Sequence, residues 1–444
     1  MGWVTFAIAI VFIAYAVVSK RLSTSPITGP MVFVTAGLIL GTPLLGVVDM
    51  SAISGGSVSV TLLFEVTLAV VLFSDATTIS SSNWRKDSSI PGRLLSIGLP
   101  LTILFGTVVA ATLFTDLGIW EAAVVGAILA PTDASLGQAV ISNPRVPLRI
   151  RLALNVESGL NDGIVVPVAL IFLRAAEESE IGGSIWSLLG FIGQEVLVAA
   201  VVGAAVGWLG GRALVSARRR DWISPMWLQI GSLALTAATY GLAVSLDGSG
   251  FIAAWLTGLV LGITTRDELE EFGGFAETVG STLTMVSYLI FGAVLLGPAV
   301  DRLTWQIALV AVLSLTLVRM VPVALALTGS RLHLRSILFL GWFGPRGLAT
   351  IILAGVVVED AAIAGAETIV TVAMITVGLS VFAHGLTAWN GSESYADWVD
   401  QTHTAAVHED TGKTTPDLNV PERFRSPGLP TTSSSPSDSE HPPD

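Results

Sequence analysis

The chain has 444 residues, of which 52% are hydrophobic and only 13% charged, with a mean hydropathy of +0.75. A soluble domain carries about 25% charged residues, so a soluble surface is excluded, and the lack of cysteine excludes disulfides and thiolate metal sites. The net charge of −12 sits largely after Asn390, where ten acidic residues face three basic ones, and the body shows no basic patch of the sort nucleic acid needs.

A membrane-spanning helix needs about 20 mostly apolar residues. By that rule the sequence predicts an all-α polytopic membrane protein with about 13 transmembrane helices. The first, Trp3–Val18, lacks a basic leader and is followed by Lys20 and Arg21, so it reads as a retained span rather than a signal peptide. Next come Thr28–Val48, Val58–Thr77, Leu94–Phe114, Ile119–Ile141, Leu152–Leu173 and Ile185–Leu209. Met226–Leu246, a short Phe251–Ile263, Thr278–Leu296, Leu303–Leu327, Ile337–Val358 and Ile363–Leu386 complete the set.

Loop charge tests this order. With the N-terminus outside, the inner loops hold 15 Lys and Arg residues, from Lys20 and Arg21 to Arg331 and Arg335, while the outer loops hold Arg174 and Arg302. That asymmetry follows the positive-inside rule and puts the C-terminus in the cytoplasm of a cell-membrane protein. From residue 390 the composition turns to Thr, Ser, Pro and Asp, which predicts a disordered cytoplasmic tail over 390–444 behind a membrane domain of 1–389. His333, His384, His403, His408 and His441 form no metal signature, and no cofactor is expected.

The fifth and twelfth spans are interrupted. One carries Pro131-Thr132-Asp133, the other Gly341-Trp342-Phe343-Gly344-Pro345-Arg346-Gly347. Proline removes a backbone donor and clashes with the preceding turn. The break leaves helix ends with partial charges that lipid cannot satisfy, so it must be covered by protein or line a cavity. The two breaks lie seven spans apart, an odd spacing, so they run in opposite directions, as an inverted repeat requires. The repeats would cover about 1–175 and 223–389, joined by the seventh span at 185–209. Matched interruptions in two halves are the sequence pointer to a transporter site. Asp133 is placed to compensate helix N-termini, and Arg346 to compensate C-terminal ends.

The span Leu152–Leu173 follows the first break and carries Glu157, Ser158, Asn161 and Asp162. Residues four apart share a helix face, so Glu157 with Asn161 and Ser158 with Asp162 form one inward polar stripe. Carboxylates inside a bilayer cost roughly 2.5–3.5 kcal/mol each at mid-helix, and their default reading is an ion pathway. Thr132 adds a hydroxyl or carbonyl from the facing break. Glu157 has two readings, a cation ligand or a buried ion pair with Arg346 or Arg319, while Asn161 reads as a hydrogen-bonding support. Asp162 has no evident cationic partner. Desolvation favours the neutral carboxyl, so one group can hold either a proton or a metal cation, which is sufficient for exchange. Glu65 and Asp75 in the third span are expected along the access route.

Ala130-Pro131-Thr132-Asp133, Asn155-Val-Glu157-Ser158-Gly-Leu-Asn161-Asp162-Gly163 and Gly344-Pro345-Arg346-Gly347-Leu348-Ala349 together resemble the NhaP-type sodium/proton antiporters, the sodium/proton exchanger branch of the monovalent cation:proton antiporters. The resemblance covers roughly Met1 to Leu386. It implies a homodimer, an elevator-like movement, two crossed discontinuous helices between two six-helix units, and a Na⁺ site at Thr132, Glu157, Ser158 and Asp162. Asp133, Asn161, Arg346 and Arg319 would support that site. Asn161 stands where electrogenic relatives carry aspartate, which implies electroneutral one-for-one exchange. Ala134 departs from the pattern, since many members carry proline there. Li⁺ or K⁺ in place of Na⁺, a K⁺-selective antiporter, and a proton channel-like subunit are the alternatives. An intramembrane aspartyl protease built on Asp133 and Asp162 fails for want of a Gly-x-Gly-Asp context, so no enzyme is expected.

Overall fold

Apolar runs in lipid satisfy their backbone groups internally, and the helix is the local way to do so. The computed structural model describes residues 2–22, 25–42, 44–48, 60–79, 89–181, 185–265, 269–360 and 363–408. Within them the chain is helical, with one isolated bridge between Gly41 and Val48. The helices are α1 (Gly2–Leu22), α2 (Gly29–Leu40), α3 (Val60–Ile79), α4 (Ser89–Leu113), α5 (Ile119–Ile128) and α6 (Gln138–Ile141). They continue as α7 (Leu148–Ile181), α8 (Ile185–Arg219), α9 (Pro225–Ser245), α10 (Gly250–Thr264) and α11 (Leu269–Ile290). A π-helical turn, Phe291–Leu296, extends α11 to Asp301. The rest are α12 (Trp305–Ala326), α13 (Leu334–Trp342), α14 (Leu348–Asp360) and α15 (Ala366–His408).

Among the described residues eight helices are long and apolar enough to cross a membrane, and four further apolar helices are shorter. The chain is a multi-pass membrane protein. The expected second span runs only to Leu40, because Gly41 leaves helical geometry with an extended backbone. The loop cations Arg85, Lys86 and Arg266 lie outside the described residues.

Both predicted interruptions are real breaks. Helix α5 has ten residues and α13 nine, each about 15 Å at 1.5 Å per residue, half of a hydrocarbon core of about 30 Å. Each therefore needs its continuation beyond the break to cross. The main core gathers around them, with Val124 and Ile128 of α5, Val165 of α7, Phe291 beyond α11, Ile352 of α14 and Val377 of α15 all buried. Helices α4 and α5 touch backbone to backbone: a Cβ on Gly126 would lie 2.5 Å from the Ile103 carbonyl oxygen.

The expected tail boundary at residue 390 is corrected. Helix α15 is 43 residues long, far longer than one crossing needs, and its last turns pack on the end of the bundle. Glu393, Asp397 and Asp400 recur at helical spacing, so one face presents three carboxylates, and all three pair with Arg145 in the α6–α7 loop. Asn143 Nδ2 donates to Glu393 at 2.8 Å. The next face buries Tyr395, whose ring stacks on Phe339 at 4.1 Å and whose hydroxyl lies 2.8 Å from Ser336 Oγ. Composition alone reads this stretch as polar and unstructured because its partners come from distant loops. Residues 409–444 lie outside the described residues.

Truncation separates the two parts. Relative to a chain ended after His408, a chain ended after Asn390 should lose about 1.5–3 kcal/mol of stability for the lost aromatic burial, the exposed Arg145 pairs adding less. Equal melting temperatures for the two truncations would show that the packed turns contribute nothing.

Candidate functional site

The two breaks cross each other, and each supplies what the other lacks. The carbonyl end of α5 faces cationic and hydroxyl donors. Arg346 Nη1 donates to the Ala130 carbonyl at 2.7 Å and the Pro131 carbonyl at 3.3 Å, and Thr350 Oγ1 donates to the Ile128 carbonyl at 2.8 Å. The amide start of α14 faces an anion, because Leu348 N–H donates to Asp133 Oδ2 at 3.0 Å. Asp133 N–H donates to the Pro345 carbonyl at 2.8 Å and joins the two extended segments directly. A charge set against each helix end neutralises the partial charge there. Arg346 is fully buried, and its guanidinium donates to backbone carbonyls rather than to a carboxylate.

Helix α15 braces the second break. Arg346 N–H donates to Ser380 Oγ at 2.7 Å, and the Ser380 hydroxyl lies 3.1 Å from His384 Nδ1. His384 Nε2 lies 3.0 Å from the Trp342 carbonyl at the end of α13. A neutral imidazole protonated on Nε2 fits this chain, accepting from Ser380 and donating to Trp342.

Helix α7 brings its polar stripe to the crossing. Asn161 Nδ2 donates to Thr132 Oγ1 at 2.7 Å, and the Thr132 hydroxyl lies 2.9 Å from Ser158 Oγ. Asp162 is buried with 8% exposure, and its Oδ1 finds no hydrogen-bond partner among the described residues. Thr132, Ser158 and Asp162 line a cavity of about 170 Å³ together with Asp133. The cavity extends along α7 to Asn155, and its wall on α3 and α11 carries Asp75 and the exposed Glu277.

Glu157 is not part of that lining. Its two oxygens accept from Arg319 Nη1 at 2.5 Å and Nη2 at 2.8 Å, and both side chains are 1% exposed. Of its two sequence readings, the geometry matches the ion pair, and Arg319 rather than Arg346 is the partner. A bidentate pair of this kind closes both charges on each other. Glu65, expected along the access route beside Asp75, does not line the cavity.

The oxygen-rich dead end and the crossed breaks fit a transported hard cation. The model of the family described as sodium/hydrogen exchanger, transmembrane, matches residues 8–388. The chain belongs to that family. Family members are transporters, not enzymes, so the aspartyl-protease alternative is closed. Among relatives of this chain, the K(+)/H(+) antiporter NhaP of Alkalimonas amylolytica is 26% identical over 350 residues, covering 78% of this chain and 58% of that protein. The K(+)/H(+) antiporter NhaP2 of Shewanella sp. (strain ANA-3) is 27% identical, covering 73% of this chain and 56% of that protein. The chain thus spans little more than half the length of these relatives. The sodium proton antiporter MjNhaP1 from Methanocaldococcus jannaschii shares the fold with a TM-score of 0.68 at 21% identity, covering 87% of this chain and 99% of that one.

Sequence reasoning missed several buried polar residues. Tyr288 Oη donates to Asp133 Oδ2 at 2.6 Å from a fully buried position on α11. A tyrosine in an apolar span carries no signal of its own. Ser380 and His384 share a face at i, i+4 within the last span, which is a legible pattern once metal binding is set aside. Glu121, buried at the opposite end of the bundle, accepts from Gly118 N–H and Gly365 N–H, each at 2.7 Å. Glutamate three residues after a turn glycine was the available signal.

Proposed function

We propose that the chain is a secondary transporter that exchanges a monovalent cation, Na⁺ first, for H⁺ across the cell membrane. The observation that carries this reading is Asp162, a buried carboxylate with an unpartnered oxygen at the dead end of an oxygen-lined cavity beside two crossed helix breaks. A cation in that position is held by Asp162 with hydroxyl oxygens of Ser158 and Thr132, and a proton on Asp162 excludes it. Competition for one carboxylate, presented to each side in turn, couples the two fluxes. Asn161 is neutral and holds Thr132, and Glu157 is closed on Arg319, so within the polar stripe of α7 Asp162 is the ionisable group left to face the cavity. That supports an electroneutral 1:1 stoichiometry.

Loop charge supports an outer N-terminus and a cytoplasmic C-terminus, with the cavity then facing the cytoplasm. The working unit is a homodimer, each protomer built of two inverted units, about 1–175 and 223–389, and an elevator-like movement presents the site to each side in turn. K⁺ is the second reading for the cation, favoured by the K(+)/H(+) antiporter names of the NhaP relatives.

Proteoliposomes loaded at a set pH, with membrane potential clamped, test this. Addition of Na⁺, Li⁺ or K⁺ in turn should collapse the pH gradient for at least one ion, at a rate independent of the clamped potential. Indifference to every alkali salt would refute the exchange. Proton flux without any counter-cation would favour the channel-like alternative.

A further inference from the structure

We propose that Tyr288 is a positioning residue of the exchange, whose hydroxyl latches α11 to Asp133 and keeps the site open on one side only. The inference rests on the exchange reading above and assigns a residue to its one-sidedness.

Helix α11 lays one face along the cavity. Glu277, Gly280, Ser281, Thr284 and Met285 line it at spacings of three and four, which is a single helical face. Tyr288 is the next position on that face. Glu277 is exposed at one end of the stripe, and Tyr288 is fully buried at the other. Beyond Tyr288 the extension of α11 is apolar and buried, with Phe291, Ala293 and Val294. An ion that enters past Glu277 therefore meets its far wall at the level where Tyr288 binds Asp133.

The bond crosses between two groups of helices. Helix α11 packs chiefly on α2, α3 and α9, and only lightly on α14. Asp133 belongs to the crossing, where the same oxygen, Oδ2, also takes the Leu348 N–H. The structure reserves room for this arrangement at Gly347, where a Cβ would overlap both the Asp133 carboxylate and the Tyr288 hydroxyl. For Asp162 to face the opposite side, the crossing must shift against the α11 wall, and the Tyr288–Asp133 bond must part. The bond thus stabilises the conformation seen here over the one that faces the other way.

A ligand's apparent affinity from one side scales with the fraction of protein open to that side. The test measures cation KM on each face, in inside-out and right-side-out vesicles. Tyr288→Phe keeps the ring and removes the bond, and should raise KM on the cavity face relative to the opposite face by about 10- to 150-fold, the range of one hydrogen bond to a charged group. Gly347→Ala keeps the phenol, drives it off the carboxylate and should shift the ratio in the same sense. An unchanged ratio, or KM values that rise together on both faces, would overturn the latch while leaving the exchange intact. Failure of both variants to fold would assign the bond to stability and also overturn it. A parent protein that exchanges no alkali ion would remove the exchange reading and the latch with it.

Discussion

Replacing Asp162 by asparagine should abolish exchange while the protein still inserts and melts at the parent temperature. The amide has nearly the same shape, and Oδ1 of the carboxylate has no partner among the described residues to lose. What disappears is the countercharge. A cation entering a buried site without one carries an uncompensated charge, at a cost of about 3–5 kcal/mol, or more than about 100-fold in affinity. The amide also has no proton to give up, so neither half of the cycle survives. The check is the Na⁺-driven collapse of a pH gradient in vesicles, read beside the melting temperature of the purified variant. Undiminished collapse would remove Asp162 from the exchange.

Breaking the Glu157–Arg319 pair should have the largest effect on stability. Both side chains are almost wholly buried, and removing one partner leaves the other as an uncompensated charge, a loss of about 3–5 kcal/mol. Arg319→Ala and Glu157→Ala should each depress the detergent melting temperature strongly. The double replacement Glu157→Leu with Arg319→Met should recover most of that loss, because a buried pair exchanged for apolar groups of similar volume is often neutral. The double variant also separates the two readings of Glu157. If Glu157 serves only its arginine, the recovered protein keeps its cation KM within about threefold, less than 1 kcal/mol. A recovered fold with a large rise in KM would return Glu157 to the cation.

Much of the site was legible in the chain because its signals are local. Pro131 and Gly344-Pro345 break helices by their own backbone chemistry, and both breaks stand where the sequence set them. Ser158, Asn161 and Asp162 share a face by helical spacing, and α7 delivers them together to Thr132. The misreadings have one cause. Residues 393–400 look like a solvated tail until Arg145, about 250 positions earlier, takes their carboxylates. Tyr288 looks like an aromatic of an ordinary span until its hydroxyl reaches Asp133, 155 positions away.

The sequence by itself determined that the chain lives in a bilayer, that two of its spans are broken, and that carboxylates sit where lipid forbids them to stand alone. Those conclusions follow from hydropathy, proline geometry and the cost of a charge in hydrocarbon, each of which acts within a few residues. Only the tertiary structure decided the pairings: that Arg319 takes Glu157 across 162 positions while Arg346 turns to the carbonyls of the first break. Two guanidiniums offer the same charge, and the choice between them depends on which helix end or carboxylate the fold brings within about 3 Å, a length over which a hydrogen bond exists or does not.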